Sequence, residues 1–157
     1  MNIYFLDLVS KLKMQIEEDL KEVVSAFLDH QPRNMGHALG MEFTELFRDR
    51  VCATMPVDEN TVQPMGLLHG GASVALGETI CSVAGWLNLD SDTQTAVGLE
   101  INANHVRAVR SGYVKGVATP IHRGSQTQLW KYDIFTPEGK LVCTGRCTLA
   151  IIRKGRK

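Results

Sequence analysis

Thirty consecutive residues, 60–89, carry one formal charge, Glu78. From Gly70 to Trp86 the order is Gly-Gly-Ala-Ser-Val-Ala-Leu-Gly-Glu-Thr-Ile-Cys-Ser-Val-Ala-Gly-Trp. The Gly70-Gly71 pair opens a long helix that ends near Asn88, before the polar run 90–93. A helix without a polar face has to be buried nearly all round, since each Å² of apolar surface left in water costs roughly 25 cal/mol. Other elements of the chain must therefore wrap it.

Those elements are strand-like. Residues 41–47 and 50–57, joined by Arg48-Asp-Arg50 as a tight connection, read as a hairpin. Four further strand candidates follow the apolar helix at 95–107, 112–122, 125–136 and 140–153. Arg110-Ser-Gly112, Arg123-Gly124 and Pro137-Glu-Gly139 separate them, which predicts an antiparallel meander. A sheet with one face to cover and a helix too apolar for solvent satisfy each other, so the fold class is α+β, an antiparallel sheet around a long central helix. Ahead of this unit, Leu8, Leu12, Ile16, Leu20, Val23, Val24 and Phe27 recur at helical spacing among charged residues, which predicts an extra amphipathic helix of about five turns. It ends at Asp29-His-Gln-Pro32, and Asn34-Met-Gly36 with Gly40 reads as a loop or short turn. The expected division is 1–34, N-terminal helix and linker, and 35–157, the helix-and-sheet domain.

Composition narrows the function. With 157 residues, 44% apolar and 22% charged, the chain fits one soluble domain. Seventeen basic and seventeen acidic residues cancel, which argues against binding nucleic acid or an anionic membrane through bulk charge. No apolar stretch is long enough for a membrane span, and the N-terminus lacks the pattern of a signal peptide. Cys52, Cys81, Cys143 and Cys147 form no C-x-x-C, and the last two, on one strand, stand roughly 13 Å apart. They read as small buried residues of a reducing cytoplasm. No H-x-x-x-H or H-x-H pair occurs among the five histidines, so no metal and no cofactor is expected.

Glu78 is the anomaly. Desolvating a carboxylate without a partner costs several kcal/mol, so such a group is solvated through a cleft or retained for chemistry. No cation lies within the thirty-residue stretch to pair with it. We read Glu78 as the catalytic residue. Ser82, at i+4 on the same helix face, can hold the carboxylate or a water, or simply bond a backbone carbonyl.

The string Gln63-Pro-Met-Gly-Leu-Leu-His-Gly-Gly71, with a carboxylate nine residues after His69, resembles the PaaI-type acyl-CoA thioesterases of the hotdog superfamily. The likeness is strongest to the 1,4-dihydroxy-2-naphthoyl-CoA hydrolase and enterobactin proofreading thioesterase group. Glu100-Ile-Asn-Ala-Asn-His-Val-Arg107 and His122-Arg-Gly-Ser-Gln-Thr-Gln-Leu-Trp130 extend it, and it covers about residues 35–152. The resemblance implies a hotdog fold and hydrolysis of an acyl-CoA, aromatic by preference, to the free acid and CoA.

The chemistry matches the residues. Negative charge develops on the carbonyl oxygen, and N–H groups at a helix N-terminus stabilise it; the resemblance points to Gly71 as the donor. Glu78 serves as general base or nucleophile. Gln63 and His69 are neutral polar groups suited to orienting the thioester, although His69 is equally placed to cap the helix. For the CoA moiety, His105, Arg107, His122, Arg123, Gly124 and Ser125 lie at strand ends or turns where basic groups and N–H groups can meet phosphate. Arg107 and Arg123 are equally well read as solvated surface charges. By resemblance, a homodimer places Gln63 and His69 of one protomer opposite Glu78 of its partner, and dimers assemble into a homotetramer. Two other readings stand beside hydrolysis: an acyl-CoA-binding or regulatory hotdog protein without turnover, and a hotdog hydratase or dehydratase.

Overall fold

The computed structural model describes residues 14–29 and 32–155. The first departure from the sequence reading is at the N-terminus. Gln15–Ile16 (β1) is extended and pairs in parallel with Glu45 and Leu46, a 3₁₀ turn follows at Glu18–Leu20, and only Lys21–Asp29 (α1) is α-helical. The predicted helix thus loses its 15–20 portion, while Leu8 and Leu12 lie outside the described residues. The reason is tertiary. The Glu17 carboxylate accepts the Arg48 N–H at 2.7 Å and the Glu17 N–H donates to Leu46 O, so pairing with the next hairpin outweighs a weak helical preference. Leu20 and Val24 still bury their side chains in the common core.

Met35–Ala38 (α2) is a single turn whose Asn34 carboxamide accepts the His37 N–H. The hairpin is as expected: Glu42–Phe47 (β2) and Arg50–Pro56 (β3) pair antiparallel around Arg48-Asp49. Gly70–Trp86 (α3) is the long helix. Gln94–His105 (β4), Tyr113–Arg123 (β5), Thr127–Phe135 (β6) and Leu141–Arg153 (β7) complete one seven-stranded sheet, ordered β1-β2-β3-β5-β6-β7-β4. Every pairing except β1 with β2 is antiparallel.

That order corrects the meander. β5, β6 and β7 follow one another, but β4 pairs with β7, from Gln94 opposite Arg153 to His105 opposite Cys143, and β5 pairs with β3. Residues 106–112 form no tight hairpin. They pass over the loop ahead of α3, where Val109 O accepts the Leu68 N–H, and their length lets β4 take the far edge of the sheet.

α3 lies in the concave face, against β3 to β7. The side toward the sheet, including Leu76, Gly77, Ile80, Cys81 and Ala84, is buried beside Val51, Met55, Trp130, Tyr132 and Leu149. At Gly77 a Cβ would stand 2.5 Å from the Tyr132 ring, so only glycine lets helix and sheet approach this closely. Composition predicted burial nearly all round the helix, and the structure departs from that. Glu78 is exposed, and Ala75, Thr79, Ser82 and Val83 are half-buried, because a sheet covers one side of a helix only. The opposite side is partly roofed by the N-terminal residues.

Candidate active site

The loop ahead of α3 explains the spacing of the glutamine-to-glycine string. Gln63 N–H donates to Leu67 O and Gly66 N–H to Gln63 O, a tight reversal that needs the positive φ of Gly66, 72°. The reversal pairs Val62 with Leu68 and brings His69 back to Thr61, whose carbonyl accepts the His69 N–H at 2.8 Å. Thr61 is itself buried, its hydroxyl donating to Pro56 O. Gln63 is fixed by its own side chain, the carboxamide oxygen accepting the Met65 N–H at 2.5 Å, which leaves the NH₂ group as its donor toward a ligand.

His69 caps α3. Its Nδ1 accepts the Gly71 N–H at 2.8 Å, so Nδ1 is unprotonated and Nε2 carries the hydrogen. The structural role weighed for His69 is real, and it uses the same N–H that the family resemblance assigned to the oxyanion. His105, placed from sequence with the CoA phosphates, stands at this helix end too. Its ring covers Gly70 so closely that a Cβ there would lie 2.9 Å from Nε2. Two imidazoles, those of His69 and His105, thus stand at the N-terminus of α3, where the helix dipole favours negative charge, while the Gln63 carboxamide is held in the loop ahead of it.

Glu78 follows two turns later on the same face as Gly71. Its Oε1 lies 3.3 Å from where a Cβ on Gly98 of β4 would be, so the carboxylate runs along an edge strand with no side chain in its way. Among the described residues no ion pair or hydrogen bond engages it, and none joins it to Ser82. Behind it, the hydrogen bond with Cys147, then burial, push the Cys81 thiol well up, and the Glu78 charge adds to this. Cys81 stays a thiol and does not compete as a nucleophile. All four cysteines are free and buried.

Glu78, Thr79, Ser82, Ala75 and Val83 form one wall of a cavity of about 750 Å³. The facing wall comes from the N-terminal third of the chain. Sequence reasoning did not identify it. Met65 is 77% exposed at the loop tip, Leu68 packs on the core, and Trp86 stacks on Phe27 with ring centroids 4.5 Å apart. No periodicity signals which residues of an N-terminal segment will face a cavity.

The remaining candidates divide. Arg107 is exposed, with Nε donating to Leu141 O. His122, Arg123, Gly124 and Ser125 form the β5–β6 turn at the other end of α3, about 25 Å from its start by helix rise. There Arg123 donates to Asn88 Oδ1 at 2.9 Å, and Arg48 donates to Leu87 O and pairs with Asp19. The two arginines meet the negative end of the helix, so Arg123 is tied into the fold as well as presented at the surface. His122 folds over Gly124, where a Cβ would lie 2.6 Å from its Nε2.

A helix wrapped by an antiparallel sheet, with His69 and His105 at its N-terminus and, two turns on, a carboxylate without a partner among the described residues, is a hotdog hydrolase arrangement. The chain belongs to the thioesterase superfamily, whose pattern matches residues 65–143, and it is an enzyme of thioester hydrolysis. It is 53% identical to the 1,4-dihydroxy-2-naphthoyl-CoA hydrolase of Escherichia coli over 119 residues, which is 76% of this chain and 87% of that protein. With the proofreading thioesterase EntH of Cronobacter turicensis it shares 51% identity over 114 residues, 73% of this chain and 82% of the other. A thioesterase crystal structure from Haemophilus influenzae superposes with a TM-score of 0.74 at 52% identity, covering 77% and 84% of the two chains. No helix among the described residues is long and apolar enough to cross a membrane.

Proposed function

We propose that the chain hydrolyses an aromatic acyl-CoA to the carboxylic acid and CoA, with Glu78 as general base or nucleophile. The observation that carries this reading is the unengaged Glu78 carboxylate on the wall of an apolar cavity. A water or thioester carbon is the partner such a group lacks. The thioester oxygen takes the Gly71 N–H by displacing the His69 imidazole, whose Nε2–H, with Gln63 NH₂, then orients the thioester. His105 closes over Gly70 and excludes water. The named activity of the Escherichia coli relative, on a fused-ring acyl-CoA, supports the aromatic preference.

Two chains complete the site. Seven residues of helix separate Gly71 from Glu78 by about 10 Å along the axis, whereas reacting atoms need to be about 3–3.5 Å apart. The edge strand β4 supplies a pairing surface, with Val97 42% and Leu99 61% exposed at its bulge. Antiparallel pairing there sets Gln63 and His69 of one protomer against Glu78 of the partner subunit. It also brings the His122–Arg123–Gly124–Ser125 turn of one chain toward the Arg107 end of the other, where both can meet CoA phosphates. Two dimers then form the tetramer, in the cytoplasm, where buried free thiols persist.

The Gly71 N–H already bonded to His69 favours one alternative, acyl-CoA binding without turnover. Thiol release measured across short, medium, long and aromatic acyl-CoA, with an acyl-carrier-protein thioester included, separates the two. Release from aromatic acyl-CoA above all others supports the proposal, and no release from any thioester establishes the binding reading.

A further inference from the structure

The cavity beside Glu78 has an owner on its far side that the superfamily pattern, matching only residues 65–143, does not include. Phe27 and Leu28 of α1, Met35 and His37 of α2, and Met41 and Phe43 at the start of β2 face the α3 wall across the space. The rings and thioethers offer what a flat aromatic body needs: ring edges and faces, and polarizable sulfur. Phe27 is held in place by its stack on Trp86 at the far end of α3. His37 is anchored by its Nδ1 edge, which lies 3.0 Å from Asn34 Oδ1, so Nε2 is the edge left for a polar substituent.

We infer that this N-terminal wall, above all Phe27, Met35 and Phe43, is the acyl-selecting surface of the enzyme and is dimensioned for an acyl group larger than one ring. The inference rests on the proposed hydrolysis at Glu78 and adds to it which residues measure the acyl group. At about 750 Å³ the cavity lies in the upper part of the range of functional pockets, about 300–1,000 Å³. A fused-ring acyl group fills more of that space than a single ring and so covers more of the lining rings and thioethers. Thr79 and Ser82 on α3 and His37 on α2 add polar groups to a lining that is otherwise mostly apolar.

Met35 is 59% exposed, so it can be changed without disturbing the core, which makes it the position to test. Met35→Trp fills the cavity and Phe27→Ala widens it. For each variant and the parent, kcat/KM is measured on two-carbon, single-ring and fused-ring acyl-CoA. Met35→Trp is expected to lower the ratio of fused-ring to two-carbon kcat/KM by about tenfold or more, chiefly through KM, and Phe27→Ala to shift the single-ring to fused-ring ratio by a similar factor. Equal changes on all three substrates in both variants overturn the inference. If the parent releases no thiol from any substrate, the hydrolysis reading has failed, and the wall is judged by binding of a non-hydrolysable fused-ring thioether of CoA. A Met35→Trp Kd about tenfold weaker relative to that for free CoA supports the wall, and an unchanged relative Kd overturns it.

Discussion

His69 holds two roles at once, and they can be separated by choice of substituent. Its Nδ1 caps α3 by accepting the Gly71 N–H at 2.8 Å, and its Nε2–H is the group proposed to orient the thioester. His69→Ala deletes both. Losing an N-cap acceptor costs about 1 kcal/mol, within a range of roughly 0.5–2. With unfolding entropy of about 2.1 cal/mol/K per residue, a chain this size loses about 3 °C in Tm for each kcal/mol. His69→Asn restores a side-chain oxygen of the preferred capping type, so its stability should return to within about 0.5 kcal/mol of the parent. Asparagine does not restore the imidazole Nε2–H. Removing one such positioned donor costs about 10²–10³-fold in kcat. Thermal denaturation and thiol release on the three proteins give six numbers that must fall in this pattern: Tm low only in His69→Ala, turnover low in both variants. A His69→Ala protein as stable as the parent would refute the capping geometry. A His69→Asn protein with full turnover would reduce His69 to a cap.

Two further predictions concern the frame that holds the site. Gly77→Ala should destabilise by about 1–3 kcal/mol although alanine is the better helix former by about 1 kcal/mol, because the new Cβ would stand 2.5 Å from the buried Tyr132 ring, whose hydroxyl is pinned by Asn102 O at 2.8 Å; a urea midpoint at or above the parent's contradicts this. Burial raises the Glu45 carboxyl, but Lys115 and then Arg50 outweigh it and hold its pKa below the ordinary carboxylate range. A depressed folded pKa contributes stability above the unfolded pKa, about 4.3, that is lost as pH falls through the folded value. The stability gap between the parent and Glu45→Gln, about 0.5–1 kcal/mol near pH 7 for a half-buried carboxylate paired with partly solvated cations, should therefore close toward pH 3. A gap constant with pH assigns the effect to packing.

Local chemistry was legible from the chain; distant pairing was not. The apolar run made α3 visible, with its start at Gly70 and its end within two residues of the expected place, and turn residues located the 48–49 hairpin and the β5–β6–β7 strands. A charge without a local partner identified Glu78 as a group the fold leaves unengaged. Ile16 shows the limit. It keeps helical spacing with Leu12 and Leu20, yet it is a strand residue because Leu46, thirty positions later, pairs with it. β4 shows the same limit at larger scale, since nothing between Gln94 and His105 encodes that Cys143 to Arg153 will lie beside it. His105 was placed from sequence with the CoA phosphates, and its ring lies over Gly70, a position that depends on β4 running along the far edge. The cavity wall depends on how α1 and α2 settle across α3, a product of packing rather than pattern.

The central claim is that Glu78 performs the chemistry, and replacing it with its uncharged isostere tests this most directly. Glu78→Gln removes the charge and keeps the shape, at an exposed position whose carboxylate has no partner among the described residues to disrupt. Thiol release from a fused-ring aromatic acyl-CoA, followed alongside binding of the matching thioether, should show kcat down about 10³-fold or more with Kd within about threefold of the parent. Turnover retained within about tenfold of the parent, with binding intact, would contradict the account.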